Sequence, residues 1–356
     1  MRLMMITQKI DESDPVMAFM LGWVRGLAAR LDHLHVLCLE QHAENLSVPL
    51  PPNVTLWSMG KERGYGRIRE FIAFQRAMAR TVADIDAVFV HMIPRYVWLG
   101  APYTIAYRKP QILWYAHRQI NLELRLALAA SKVVVTSVPS AFPLPTGKLR
   151  VVGQGIDADY FSTAARCVPD DPPLIVYVAR LMPIKHQDVL LRAVAAIPDV
   201  RLALVGAVPS GQDAAYQTQL QELAQTLGIA NRVIFTGGLV GDAVRDMLRR
   251  ATLGVNLSPP GLFDKAALES MLVGLPTLVC NPAFDPLLGD HVPQLRFSKS
   301  EDVEGLTSKL RALLALPRTT LASIGSNVRE HVKAVNSLDG LMDRLVAVFV
   351  DAAGQP

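Results

Sequence analysis

The sequence predicts an α/β chain of two Rossmann-like halves, each a parallel sheet with helices on both faces. Short β-branched runs alternate with amphipathic stretches almost throughout, the pattern of strand–helix–strand units. At 356 residues the chain exceeds one comfortable hydrophobic core, and two domains of roughly 150–180 residues follow as the natural division. Between the two series lies Thr163–Pro173, ending in Cys-Val-Pro-Asp-Asp-Pro-Pro, whose prolines and acidic residues mark a linker. The expected domains are therefore 1–165 and 172–337.

In the first half the strand candidates are Leu3–Thr7, His35–Leu39, Val54–Met59, Ala87–Met92, Ile112–Ala116, Val133–Ser137 and Arg150–Gly153. After the first of them, Phe19, Trp23, Leu27 and Leu31 recur at helical spacing and predict a helix over 14–31. The second series opens with LIVYVAR at 174–180. It continues through RLALVG (201–206), RVIFTG (232–237), LGVNLS (253–258) and TLVC (277–280). Helices close the chain from about residue 301, the last over about 338–350.

Hydrophobic residues make up 51% and charged residues 19%, which supplies material for burial and excludes a disordered chain. The net charge of +4 is uneven: residues 1–165 hold 18 Lys+Arg against 13 Asp+Glu, a balance of +5 that leaves −1 for the rest. A modestly basic half suits an anionic surface or acceptor; no nucleic-acid-binding motif accompanies it. Cys38, Cys167 and Cys280 are far apart, odd in number and in no metal spacing, and read as reduced thiols. The opening MRLMMITQKIDESD turns charged too soon for a signal peptide. No apolar run approaches the ~18–20 residues of a membrane helix. The expectation is a cytoplasmic protein, with peripheral contact at an inner membrane face left open.

Two α/β halves on one linker predict a cleft between them, with ligands outside the carboxyl ends of the strands. A GxGxxG fingerprint is absent, since strand one leads into TQKIDESDP, and there is no Walker loop or GxSxG elbow. After the strand at 174–180 comes Arg180-Leu-Met-Pro-Ile-Lys185-His-Gln-Asp. Two cations just before a helix suit a pyrophosphate; a solvated turn with two surface cations is the alternative. The second segment is SPPGLFDKAALESMLVGLPTLV at 258–279, a proline–glycine loop that enters a helix near Asp264. Glu269, on the first turns of that helix, can bind ribose hydroxyls. A capping aspartate and an exposed helix glutamate are the plainer alternatives for these two residues.

These segments resemble the GT-B fold glycosyltransferases, specifically the retaining family four, the group 1 transferases. The resemblance covers nearly the whole chain, and VARLMPIKHQDVLLRAV, RLALVG, RVIFTGGL and ALESMLVGLPTLV carry it in order and spacing. It implies that Arg180 and Lys185 clamp the donor diphosphate and that Glu269 holds the ribose. Gly261, Phe263, Asp264, Lys265 and Leu268 complete the implied donor set. WYAHRQ at 114–119 is similar to the acceptor-side histidine segment, so His117 is expected to position the reacting sugar or acceptor hydroxyl. The family usually carries two glutamates eight residues apart; the second is Glu269, and the first falls on Gly261. Asp264 and Lys265 are candidates to replace the missing contact. Ala179 stands where a glycine often precedes the arginine.

The implied reaction is sugar transfer from a nucleotide-diphosphate sugar to a glycan or lipid-linked acceptor, with retention, no metal and no further cofactor. Arg180, Lys185 and the helix start near Asp264 can stabilise the departing diphosphate without a metal. The pairs Asp84/Asp86 and Asp157/Asp159 read as surface chemistry. Gln8, Lys9 and Asp11, on the expected loop after strand one, are candidate contacts to donor or acceptor, or part of a solvated loop. His91 is a lesser candidate and His186 incidental. Lys61, Arg63, Arg67, Arg69, Arg76 and Arg80 interleave with Tyr65, Phe71 and Phe74, and form either a solvated helix face or a surface for anionic lipid. Two other functions stay open: a nucleotide-sugar epimerase on the same fold, and a non-catalytic nucleotide-sugar binder, which Gly261 makes conceivable.

Overall fold

The computed structural model describes residues 1–14, 16–162, 169–208, 215–239 and 241–354, so Cys167 and the start of the expected linker lie outside the described residues. The chain divides into two compact units, Met1–Gly155 with Leu338–Pro356, and Ile156–Ser337.

The first unit holds β1 (Arg2–Ile10), β2 (His33–Gln41), β3 (Val54–Ser58), β4 (Ala87–His91), β5 (Gln111–Trp114), β6 (Val133–Thr136) and β7 (Leu149–Val151). They pair in parallel in the order β3-β2-β1-β4-β5-β6-β7. Parallel strands need crossovers that cover both faces, which is why the central strands β4, β5 and β6 are buried along their whole length, while the edge strands β3 and β7 are more polar and less buried. On one face Leu3, Met5, Phe89, Ile112 and Trp114 pack with Trp23 and Leu27 of the helix Met20–Ala28. On the other, Met4, Ile6, Val90 and Leu113 pack with Phe74 and Met78 of the helix Arg67–Thr81. The last helix, Leu338–Ala353, joins the first of these faces through Leu341, Met342, Leu345 and Phe349.

Two local expectations are corrected here. Strand β1 does not stop at Thr7, because β2 runs alongside it as far as Lys9↔Glu40 and Ile10↔Gln41. Gln8 and Lys9 are therefore strand residues rather than loop residues. The first helix begins at Met20, not near Asp14: the Asp14 carboxylate accepts from the amides of Val16 (2.8 Å) and Met17 (2.9 Å) and holds a turn there.

The second unit holds β8 (Leu174–Val178), β9 (Arg201–Val205), β10 (Val233–Gly237), β11 (Leu253–Asn256) and β12 (Thr277–Val279), parallel in the order β10-β9-β8-β11-β12. The chain leaves β8 to one side through β9 and β10, then returns to the other side of β8 through β11 and β12. At the carboxyl edge Gly206 is obligatory, since a Cβ there would sit 1.9 Å from the Ala179 carbonyl oxygen. The backbones leaving β8 and β9 can approach only because that position lacks a side chain.

Phe349 is fully buried between the last helix and the first sheet, its ring 5.0 Å from that of Phe89. Phe349→Ala is expected to cost about 3–5 kcal/mol and to lower the thermal midpoint of the first unit's transition. An unchanged midpoint would show that the last helix does not stabilise that sheet.

Candidate functional site

In an open parallel sheet the crevice lies where neighbouring strands send their connections to opposite sides. In the second unit that point falls between β8 and β11. The loop after β8 turns through a single 3₁₀ turn, Pro183–Lys185, into the helix Gln187–Ala195. The loop after β11 runs into the helix Lys265–Leu272. Both segments singled out in the sequence thus meet at one switch point.

Their meeting is an ion pair. Lys185 is 7% exposed, and its Nζ donates to Asp264 Oδ2 (2.7 Å), Asp264 Oδ1 (2.8 Å) and Ser258 Oγ (2.9 Å). The Asp264 carboxylate also accepts from Asn256 Nδ2 (2.9 Å) and from the Ser258 hydroxyl. Below this cluster the buried Tyr177 hydroxyl donates to the Lys185 carbonyl (2.9 Å) and accepts from the Leu257 amide (3.2 Å). Burial, with Asp264 nearby, pushes that phenol far above its ordinary value and keeps it neutral. Tyr177 therefore ties the two loops together as a neutral strut. Sequence reasoning missed Tyr177, Asn256 and Ser258. The available signal was polar residues at the end of otherwise apolar strand runs, YVAR and VNLS.

The other donor-side candidates differ in setting. Arg180 is exposed and enters no ion pair among the described residues, while its carbonyl accepts from Gln187 Nε2 (2.9 Å). Glu269 lies on the helix beside Lys265, Nζ to Oε1 3.4 Å. Phe263 stacks on Phe284 at 4.4 Å between ring centroids, and Leu268 is fully buried in the unit's core; neither presents a polar group. Gly261 has φ 92°, and the Leu262 amide donates to the Pro259 carbonyl (3.2 Å). Proline second and glycine third is the signature of a type II turn. A glutamate at 261 would carry about 1–3 kcal/mol of backbone strain, so this departure from the family pattern belongs to the loop's backbone.

The remaining candidates lie in the first unit. Lys9 pairs with Asp11 (3.0 Å), Asp14 (3.1 Å) and Glu40 (3.1 Å). Burial works against the Lys9 charge, but bonds to these carboxylates outweigh it and raise the ammonium. Burial likewise opposes the Asp11 charge, yet bonds from Ser13 and Lys9 bring the carboxyl down to about 2. Gln8 is exposed. His117 is exposed on the turn after β5, and its Nδ1 accepts from the Gln119 amide (3.0 Å), so the neutral ring carries its proton on Nε2. His91, at the end of β4, is buried against Trp23, Trp114 and Phe19, with no partner for Nδ1. Burial drives its imidazole down to about 3.

His186 occupies the left-handed region (φ 52°) between the 3₁₀ turn and the next helix. Asp86 accepts from the Arg2 amide and Asp157 from the Tyr160 amide. Among the described residues no three His, Cys, Asp or Glu side chains gather as a metal-ligand group. In the basic segment, Phe74 is buried, whereas Ile68, Phe71 and Ile72 are exposed on the same helix as Arg69, Arg76 and Arg80. Among the described residues no helix is long and apolar enough to cross a membrane.

Residues 163–331 match the family model of glycosyl transferases, group 1. The chain is 30% identical over 177 residues to D-inositol 3-phosphate glycosyltransferase of Mycolicibacterium smegmatis, covering 48% of this chain and 41% of that protein. It is 36% identical over 209 residues to D-inositol 3-phosphate glycosyltransferase 2 of Catenulispora acidiphila, covering 52% and 46%. These matches span less than half the length of either relative. In fold the chain is similar to Anabaena HepE in complex with UDP and glucose (TM-score 0.74, 17% identity, 99% of this chain and 100% of that one). It is equally similar to sucrose-phosphate synthase of Thermosynechococcus elongatus (TM-score 0.75, 17% identity, 98% of each). The two parallel-sheet units have the GT-B architecture.

His91 gives a pH signature. Its folded value lies below its unfolded one, so the unfolded chain takes up a proton first as pH falls from about 6.5 towards 3. Stability is full above that window and falls within it, by at most about 1.4 kcal/mol per pH unit from this group. Buried His35, lowered to about 4, adds to the same limb. His91→Phe is expected to flatten the pH dependence of urea unfolding between about pH 6.5 and 4.5. An unchanged slope would mean that the native ring is already hydrated.

Proposed function

We propose that this chain, whose residues 163–331 match the family model of glycosyl transferases, group 1, is a member of that family and transfers a sugar from a nucleotide-diphosphate sugar with retention of configuration and without a metal. The observation that carries this reading is the buried Lys185, on the loop that Arg180 opens, held against Asp264 at the start of the helix Lys265–Leu272, at the switch point of the family-matched unit. Two cations on that loop are suited to a diphosphate. In the transfer the anomeric C–O bond breaks with its electron pair going to the diphosphate oxygen. The acceptor oxygen bonds to the same carbon from the same face, and its proton passes to the departing oxygen. Arg180 and Lys185 offset the developing charge, Glu269 holds the ribose, and His117 positions the reacting sugar or acceptor hydroxyl.

The acceptor is a glycan or a lipid-linked sugar, and the site of action is the cytoplasm. Exposed Ile68, Phe71 and Ile72 beside Arg69, Arg76 and Arg80 support peripheral contact with an anionic membrane. Co-sedimentation with phosphatidylglycerol vesicles should fall at least several-fold between low and physiological salt. Absent or salt-insensitive binding removes that contact. Gly261 favours a second reading, a nucleotide-sugar binder without transfer; donor turnover with and without acceptor separates the two, and turnover without acceptor would indicate an epimerase.

UDP, named with the solved HepE structure, is the first ligand to test, with GDP and ADP beside it. A thermal upshift with one of them that persists in EDTA supports a metal-free donor site. Arg180→Ala should weaken that ligand by about 1.5–3 kcal/mol, roughly 10–150-fold. It is a cleaner probe than Lys185→Ala, which leaves the Asp264 carboxylate without its cation and destabilises the fold by about 3–5 kcal/mol. Full affinity in Arg180→Ala would refute the assignment.

A further inference from the structure

We propose that Asp264 is a built-in competitor for the ligand's diphosphate, holding Lys185 until a diphosphate displaces it. This rests on the donor-site reading above and adds to it a residue that sets which ligands can bind. An ammonium has three donors, and the structure accounts for three: two on Asp264 and one on Ser258. Lys185 therefore has no hydrogen left for a phosphate while Asp264 is in place. Its burial prevents it from swinging aside into water.

Asp264 itself stands at a divided position. It is the N-cap residue of the helix Lys265–Leu272, with the extended backbone of a cap (φ −73°, ψ 123°), yet its side chain makes no capping bond. An aspartate at that place ordinarily accepts from an amide two or three residues on. Here the carboxylate is turned instead to Lys185, Asn256 and Ser258. The residue thus has two homes, the ammonium and its own helix terminus. A diphosphate, with two adjacent anionic groups, can take the ammonium and send Asp264 to the cap. A nucleoside or neutral sugar brings no charge to replace the carboxylate, and a monophosphate brings one group where two are needed to reach both Lys185 and Arg180. The pair acts as a threshold selecting diphosphates.

The test is calorimetric titration of the full chain with UDP and with inorganic pyrophosphate. Asp264→Asn keeps a capping side chain but removes the competing charge, and should bind both ligands at least about tenfold more tightly than the natural chain. Ser258→Ala removes one bond holding Asp264 without changing any charge, and should bind them about threefold more tightly. It decides the question alone if Asp264→Asn, with Lys185 left uncompensated, does not fold. Equal or weaker binding in the folded variants, with UDP still bound by the natural chain, overturns the competitor role and leaves the donor site standing. Failure of every variant and the natural chain to bind either ligand overturns both.

Discussion

The described residues form twelve strands, each paired in parallel, and this imposes the constraint from which the rest of the molecule follows. A parallel pair cannot be closed by a tight turn, so each connection must cross a face of the sheet and return. Both faces are thereby covered, the central strands are buried along most of their length, and polar residues gather in the loops at the carboxyl edge. Where the order reverses, between β8 and β11, two such loops leave in opposite directions. Lys185 and Asp264, 79 residues apart in sequence, come into hydrogen-bond contact there.

The ion pair at that point is costly as well as useful. Removing two charges from water is repaid only when geometry is good and the remaining lone pairs and protons are satisfied. Here Asn256, Ser258 and the three donors of Lys185 satisfy it closely. The Tyr177 hydroxyl then couples the two loops below. Such a cluster is rigid while complete and open to rearrangement only for a ligand that brings its own negative charge. The type II turn at Pro259–Leu262 works in the same direction, fixing the backbone just before the helix that carries Asp264 and Glu269.

In the first unit, Lys9 with Asp11, Asp14 and Glu40 forms the comparable polar knot, but it serves the local turn between β1 and the following helix. The sequence pattern made the strand runs legible because burial on both faces leaves continuous apolar stretches. It did not show where β1 ends, since that depends on how far β2 runs beside it. It also placed the first helix too early, because Phe19, Trp23, Leu27 and Leu31 mark an apolar face without saying that the Asp14 carboxylate holds a turn ahead of it.

For the site, residue order alone identified Arg180, Lys185, Asp264 and Glu269 as strand-end polar groups beside helix starts. It also identified Gly261 as a departure from the family pattern. The first of these is determined by composition and spacing, because loops after buried strands are where charged residues can be accommodated; the second is what the resemblance to the group 1 transferases implies. Tertiary structure alone decided which of these groups touch. Lys185 and Asp264 could each have faced water, and only the reversal of strand order beside β8 turns them on one another. The exposure of Arg180 against the burial of Lys185 is likewise a property of packing. A sequence records which charges a chain carries; the distance between them is set by the fold.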